Sequence, residues 1–284
     1  MEGQTMHLKT LLVCLTTPDN AQTLMRAAVP LARACGAHLI GLHTIEALLV
    51  YPGIAMHIPG PAFAEFNKSQ HNQAQEIKDV FDRHTRAEDF VSEWRLVRTE
   101  SASAADRMIE SARAADLVLL SQADKQHDRV DQSHIQQRLI RESGRPVIMI
   151  PLGYDGPEIG NTVLMGWSGT REATRAAHDV MLVARDKAEI GVLHVGDMET
   201  DELTDHPTIE LAEMYARHGY AARVIHRERA GKSVMDSLHH DAFEIGADLI
   251  ATGAFGHSWV YDFVIGAATR DLLAKARLPI LFSK

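Results

Sequence analysis

The chain has few cysteines, no long apolar run and no excess of basic residues, and each lack excludes a class of protein. Cys14 and Cys35 are the only two cysteines among 284 residues, too few for a disulfide scaffold, so both are predicted to be reduced thiols. No apolar run is long enough to cross a bilayer, and residues 1–5 lack the basic and apolar regions of a signal peptide. The net charge of −9 disfavours nucleic acid and anionic membranes as partners. These lacks together predict a cytoplasmic protein that binds neither nucleic acid nor membrane.

The chain contains two copies of one α/β unit, over about Thr10–Pro151 and about Thr162–Ser283. In each copy the second apolar strand ends in Leu-His, a later strand begins with Ala-Asp-Leu, and the last strand follows a proline. A repeat of this length is typical of a duplicated domain, because solenoid units run to roughly 20–50 residues. We therefore predict two domains, at 1–152 and 160–284, joined by the Gly- and Pro-containing linker Leu152–Gly160.

Copy one is longer than copy two. Equivalent positions are offset by 152 residues at the first strand and by 132 at the Asp-Leu strand, where Asp116 matches Asp248. Copy one therefore carries about twenty extra residues between its second strand and its next helix. The segment Tyr51–Gln70, which contains three prolines and two glycines, is predicted to be this insertion and to form a long surface loop.

Strands alternate with helices in both copies, and this order predicts the fold. The first strand of copy two is an unbroken apolar run, as expected for a strand covered on both faces. Alternation of this kind implies a parallel sheet with right-handed crossovers, so we predict two tandem, doubly wound, five-stranded parallel sheets. The predicted elements of copy two are strands at Val163–Trp167, Gly191–Val195, Ala222–His226, Asp248–Thr252 and Ile280–Phe282, and helices over Ala173–Ala184, Pro207–His218, Ser233–Ile245 and Thr269–Ala276.

Three glycines after the Asp248–Thr252 strand form the main candidate site. Gly253, Gly256 and Gly266 follow with the spacing G-2x-G-9x-G, and a predicted helix opens directly after them. Phosphate oxygens need converging backbone N–H groups with no Cβ in the way, which glycines at a helix N-terminus supply. Parallel sheets bind ligands at the carboxyl ends of their strands, where the strand order reverses. The pattern predicts a phosphate loop, and the alternative is a plain turn between strand and helix.

The order of elements, this glycine spacing and the closing Leu-Pro-Ile-Leu strand resemble the universal stress protein family in its tandem, two-domain form. The resemblance covers nearly the whole chain and is stronger in copy two. It implies an adenine-nucleotide α-hydrolase-like fold, with the two copies packed through their last strands as an internal pseudo-dimer. It also implies a role in stress response or signalling and ATP, with or without Mg, as the ligand. A protein partner and a homodimer are both compatible with it.

The resemblance also assigns the binding residues. In the ATP-binding branch of that family, the glycine loop holds the phosphates and ribose, and the nucleoside lies against the ends of the first and second strands. Carried over to this chain, the cofactor-binding residues are Trp167, Ser168, Gly169, Val195, Gly253, Gly256, His257, Ser258, Gly266, Ala267, Ala268 and Thr269.

This chain departs from the family pattern at two positions of copy two and throughout the loop of copy one. Ala267 stands where the nucleotide binders usually have Ser or Thr, and Ser168 stands near where they usually have an acidic residue. In copy one the aligned glycine positions are Ser121, Asp124 and about Ser133, and an acidic Asp124 would repel phosphate. We therefore predict nucleotide binding in copy two only.

The sequence assembles no catalytic or metal centre. Segment 230–233 resembles the end of a P-loop, but His226 stands where that motif needs its first glycine. The Trp-Ser-Gly-Thr segment at 167–170 fails the G-x-S-x-G frame, because threonine replaces the second glycine. His239 and His240 are adjacent, point roughly 100° apart on a helix, and are predicted to be solvated and not to bind a metal.

Three functions fit these observations. The first is a nucleotide-binding stress or signalling protein, in which any ATP hydrolysis is slow and incidental because no residue is placed to activate water. The second is a ligand-independent interaction module that acts through a pseudo-dimeric surface. The third is a small-molecule enzyme of the wider adenine-nucleotide group, and it rests on fold analogy alone.

Overall fold

The computed structural model describes residues 8–46, 60–99, 103–124, 132–156, 158–196, 201–228, 233–255 and 272–284. Copy one alternates strands and helices as predicted. Its strands are β1 (Thr10–Cys14), β2 (His38–Glu46), β3 (Ser92–Thr99), β4 (Leu117–Ser121) and β5 (Val147–Ile150). Its helices are α1 (Pro18–Cys35), α2 (Gly60–Thr85), α3 (Ala104–Ala112) and α4 (Gln132–Glu142).

Copy two repeats this order. Its strands are β6 (Thr162–Trp167), β7 (Glu189–Gly196), β8 (Ala221–Glu228), β9 (Leu249–Gly253) and β10 (Ile280–Ser283). Its helices are α5 (Arg171–Asp179), which continues into a 3-10 turn at Val180–Leu182, α6 (Asp201–Arg217), α7 (Val234–Glu244) and a helical turn at 272–275. The predicted strands are all present. The start of α6 was predicted wrongly, because this helix begins six residues before Pro207 and includes it.

The ten strands form one continuous sheet in the order β3-β2-β1-β4-β5-β10-β9-β6-β7-β8. Within each copy all neighbours are parallel. The copies are joined by one antiparallel pair, β5 with β10, in which Ile148 lies opposite Leu281. The predicted pseudo-dimer through the last strands is therefore confirmed, and its two five-stranded sheets are one sheet.

Apolar side chains cover both faces of this sheet and make two cores. Along β1, Leu11 and Val13 pack into one core and Leu12 and Cys14 into the other, as the two-residue period of a strand requires. One core lies under α1, α2, α5 and α6, and the other lies under α3, α4 and α7. Each core contains residues of both copies, so the hydrophobic interior does not stop at the boundary between them.

The repeated Ala-Asp-Leu sequence has a structural role in both copies. Asp248 is 4% exposed and accepts hydrogen bonds from the backbone N–H groups of Gly160, Asn161 and Thr162 at 2.7–3.0 Å. Asp116 accepts equivalent bonds from residues 9 and 10, both at 2.9 Å. Each aspartate thus fixes the start of the first strand of its copy beside the strand that follows the aspartate in the chain.

The insertion in copy one differs from its prediction. Segment Tyr51–Gln70 was predicted to be a surface loop, but α2 begins at Gly60 and takes in its last eleven residues. Proline in the first helical turn is favourable, because the N–H that it lacks has no partner there, so Pro61 marks a helix start. Residues 51–59 lie outside the described residues.

Candidate functional site

The predicted nucleoside residues of copy two meet at the carboxyl edge of three neighbouring strands. The register places Trp167 beside His194, and Gly166 between Leu193 and Thr252. Ser168, Val195 and Gly253 therefore follow at the same edge of the sheet. Strand order reverses here, because β7 lies on one side of β6 and β9 on the other. This is the position at which doubly wound sheets bind ligands.

The segment after β6 is a turn into α5. Ser168 is exposed, and its Oγ lies 3.2 Å from Oγ1 of Thr170. Gly169 has a φ of +65°, which suits glycine. Thr170 is the N-cap residue of α5, since its Oγ1 accepts the N–H of Ala173 at 3.2 Å. Thr170 was not among the predicted site residues, although a threonine before a helical pattern is a signal for a cap.

The two equivalent histidines hold the ends of the first strands. His43 Nδ1 lies 2.7 Å from the carbonyl of Leu15, and His194 Nδ1 lies 3.4 Å from the carbonyl of Trp167. His43 is buried, and burial lowers its pKa although the bond to Leu15 raises it. His194 is half-buried and lies 6.2 Å from the ring of His226. Both histidines therefore have structural roles at the cleft.

Gly253 has a packing role of its own. A Cβ at this position would lie 2.5 Å from the backbone N of Ala173 and 2.6 Å from the backbone C of Glu172. The absent side chain thus lets β9 approach the first turn of α5. The next N–H, that of Ala254, donates to the carbonyl of Ser283 at 2.8 Å. The N–H of Ala254 is therefore not available to a phosphate.

Most of the predicted phosphate loop falls outside the described residues. Phe255 is described, is 6% exposed and has a φ of +53°. The other predicted contacts lie in the segment that the structure does not describe: Gly256, His257, Ser258, Gly266, Ala267, Ala268 and Thr269.

Charges of both signs lie beside Gly253. Burial raises the pKa of Glu172, but hydrogen bonds from its own backbone and from Arg171, together with the charge of Lys284, lower that pKa below its ordinary value. Arg171 Nη2 lies 3.0 Å from the Glu172 carboxylate. The Glu172 carboxylate is also stabilised by its position in the first turn of α5, where the helix dipole is positive. Its negative charge is thus partly neutralised at this edge.

The equivalent cleft of copy one is filled by glutamine side chains. Gln132 Nε2 donates to Thr16 Oγ1 at 3.1 Å, and Gln136 Nε2 donates to the carbonyl of Ser121 at 2.7 Å. Gln73 of α2 donates to the carbonyl of Thr16 at 3.2 Å. Thr16 and Ser121 are the positions that match Ser168 and Gly253 in copy two. The cavity between these groups measures about 20 Å³, which is room for one water.

The described part of the chain offers little for other chemistry. It contains no cluster of three or more His, Cys, Asp or Glu residues that could hold a metal ion. Among the same residues, no helix is both long and apolar enough to cross a bilayer. Burial raises the pKa of Cys14 to about 12 and that of Cys35 to about 11, so both thiols are inert. The solvated interpretation of His239 was wrong, because this side chain is partly buried and burial lowers its pKa.

Comparison with known proteins gives matches over both copies. The model of the Universal stress protein family matches residues 7–151 and 161–284. A universal stress protein from Archaeoglobus fulgidus DSM 4304 aligns over 96% of this chain and 96% of its own, with a TM-score of 0.72 and 14% identity. A functionally unknown protein from Pseudomonas aeruginosa PAO1 aligns over 99% of this chain and 94% of its own, with a TM-score of 0.57 and 15% identity. No curated protein sequence matches significantly.

A solved structure with a nucleotide also aligns with part of the chain. It is the universal stress protein from Archaeoglobus fulgidus in complex with dAMP, which covers 51% of this chain and 98% of its own, with a TM-score of 0.34 and 12% identity. This likeness is too weak to place a ligand here, and the two longer alignments demonstrate a common fold alone.

Proposed function

Because the chain belongs to the universal stress protein family and contains two copies of its domain, we propose that it binds ATP or a related adenine nucleotide in copy two only. The nucleotide would serve as a signal in the stress response. Its presence would change the surface that the protein offers to a partner.

The difference between the two equivalent clefts supports this proposal. In copy two the strand ends are open, with Ser168 and Gly169 exposed and Val195 half-exposed. In copy one the matching space is a cavity of about 20 Å³, which is lined by Gln132 and Gln136 and mostly by apolar side chains. A nucleotide needs hundreds of cubic ångströms, so it does not fit the cavity that the described residues of copy one form.

Each predicted residue has a role in this proposal. Trp167, Ser168, Gly169 and the backbone at Val195 would hold the nucleoside at the ends of β6 and β7. The glycine loop from Gly253 onward would hold the phosphates, with N–H groups that follow Ala254. The hydroxyl of Ser168 would take the place of the usual acid as a partner for the ribose, and this weaker partner predicts modest affinity.

The proposed site is expected to bind ATP and to hydrolyse it only slowly. Glu172 is the buried acid nearest to Gly253, and it is paired with Arg171. An acid that is engaged in this way is a poor base for activating water, so ATP turnover is expected to be slow.

Calorimetric titration of the full chain with Mg-ATP tests the proposal, after a parallel sample has been checked for co-purified nucleotide by acid extraction and chromatography. We expect saturable binding near one site per chain. We also expect Mg-ATP to raise the melting temperature, because a ligand that binds only the native state stabilises it.

Paired glycine variants locate the site. Gly256→Val should abolish binding with modest loss of fold, because a branched side chain would block the anion loop. Gly60→Val is the matched control, since a Cβ at Gly60 has nothing within 4 Å. Asp124→Gly in copy one should leave binding unchanged. Equal loss of binding from Gly256→Val and Asp124→Gly would overturn the assignment to copy two.

The second candidate is a ligand-independent interaction module. It is favoured by Ala254, whose N–H is already bonded to Ser283, and by Ala267, which lacks the usual hydroxyl. An absence of heat, thermal shift and extracted nucleotide would select this candidate over the first.

A further inference from the structure

Copy one contacts the glycine-rich segment of copy two through an arginine. Arg141 lies in the last turn of α4, and its Cζ lies 3.9 Å from the centroid of the Phe255 ring. Phe255 stands between Gly253 and Gly256, and its φ of +53° is rare for a bulky side chain. The ring is also 6% exposed. An unusual turn at the predicted phosphate loop is thus packed against the other copy.

A second cation lies near the same ring. Lys284 Nζ is 5.8 Å from the centroid of Phe255, within the distance at which a ring attracts a cation. Ser283, the preceding residue, accepts the N–H of Ala254. The end of β10 and the end of α4 therefore place two positive charges beside the start of the glycine loop.

The contact has no counterpart in the other direction. By the offset of 132 residues, Phe255 corresponds to Ala123. By the offset of 133 between the prolines that precede β5 and β10, Arg141 corresponds to Ala274. Two alanines cannot form a cation–aromatic pair. On that side of the pseudo-dimer a neutral contact is found, in which Gln122 Nε2 donates to the carbonyl of Leu273 at 3.2 Å.

We propose that Arg141 is a positioning residue through which copy one shapes the phosphate-binding segment of copy two. This inference rests on the proposed function of that segment. A guanidinium group stacks flat on an aromatic ring and keeps its N–H donors free at its edge. Arg141 would hold Phe255 in its left-handed turn through this contact. The nucleotide site would then depend on both copies, which gives the copy without a glycine loop a function.

The first test needs no nucleotide. Hydrogen exchange of the peptide that covers residues 250–258 is measured in the full chain and in Arg141→Gln, Arg141→Lys and Phe255→Leu. We expect faster exchange in Arg141→Gln and Phe255→Leu, and partial protection in Arg141→Lys, which keeps the cation. The double variant should exchange no faster than the faster single variant, because coupled residues act through one contact. Additive effects, or unchanged exchange in Arg141→Gln, would overturn the proposal.

The second test measures the affinity for Mg-ATP. We expect Arg141→Gln to weaken binding by about twofold to fivefold, which corresponds to one exposed cation–aromatic contact. Arg86→Gln, at an exposed arginine of the same copy, changes the net charge equally and should leave affinity unchanged. Equal affinities of the wild type and Arg141→Gln would overturn the proposal. If the wild type binds no ATP, the proposed function fails, and hydrogen exchange alone decides the role of Arg141.

Discussion

Equivalent residues of the two copies have acquired different environments, and His43 and His194 are the clearest pair. His43 is 4% exposed, and its ring stacks on Trp94 with centroids 6.4 Å apart. Its Nδ1 donates to a carbonyl, so Nε2 is the unprotonated nitrogen, and it has no hydrogen-bond partner among the described residues. His194 occupies the same strand position but is half-buried. The repeat thus preserves a position while the neighbouring elements decide its chemistry.

The burial of His43 predicts that acid destabilises the protein. Burial lowers its pKa below 6.5 in the folded state, so between the folded and unfolded pKa values the unfolded chain binds more protons. Stability then rises with pH in that window, and it is lost as pH falls below about 6.5. His43→Gln keeps a donor for Leu15 but cannot titrate. It should reduce the slope with pH of the free energy of unfolding below about pH 6.5, measured by urea denaturation.

Other histidines contribute to the same pH dependence, and one of them provides a control. Burial also lowers the pKa of His84 and His239, so some slope should remain in His43→Gln. His218→Gln, at an exposed position, should leave the slope as in the wild type. A slope that is identical in the wild type and His43→Gln would contradict the assignment.

At the scale of elements, the approach of β9 to α5 explains the first glycine of the loop. Gly253 would be needed here even without a ligand, because a Cβ would meet backbone atoms of α5 at 2.5 and 2.6 Å. Backbone atoms cannot rotate away as a side-chain tip can. A glycine spacing in a sequence can therefore arise from packing, from ligand binding or from both. The contacts of each glycine in the structure show which cause applies.

Gly253→Ala should destabilise the protein, because α5 has to move away from β9. We expect a loss of about 1–3 kcal/mol in the free energy of unfolding, as for other overpacked sites. Gly60→Ala adds the same methyl group in open space at the start of α2, and it should be neutral or stabilise by up to about 1 kcal/mol. Chemical denaturation of the three proteins measures both effects, and equal effects of the two substitutions would exclude the packing explanation.

The sequence predicted the elements better than it predicted the contacts between them. Unbroken apolar runs and helix starts are local signals, so the strands of copy two were found, and the helix predicted from Ser233 is α7, which Ser233 caps. The cleft of copy one was not, because Gln132 and Thr16 are 116 residues apart in the chain. Pro61 was ambiguous, since a proline is typical both of a loop and of a first helical turn.

The same limit applies to the candidate site. Ser168 and Val195 could be placed from strand ends alone, because parallel strands bring their carboxyl ends to one edge. The contact of Arg141 with Phe255 could not be predicted, because it depends on how the two copies meet. The contacts of Gly256 to Thr269 with a ligand stay a prediction.

For the whole molecule, the junction of β5 with β10 decides whether the copies behave as one unit. Every residue of both strands is buried. If the copies separated, each would expose an apolar edge strand, and such strands promote aggregation. Both hydrophobic cores also contain residues of both copies. The two copies are therefore expected to unfold in one cooperative transition.

Leu281→Ala tests this cooperativity by a substitution in the middle of the β5–β10 junction. Leu281 is fully buried and lies opposite Ile148 of copy one, so we expect a loss of about 2–5 kcal/mol. Trp94 reports on copy one and Trp167 on copy two, in variants in which the other tryptophans are replaced by phenylalanine. Both probes should give the same urea midpoint, and Leu281→Ala should lower both midpoints equally. Phe243→Ala, at a side chain that is 85% exposed, should lower neither. If Leu281→Ala lowered the midpoint of Trp167 alone, the copies would unfold separately, and β5 would be stable as a free edge.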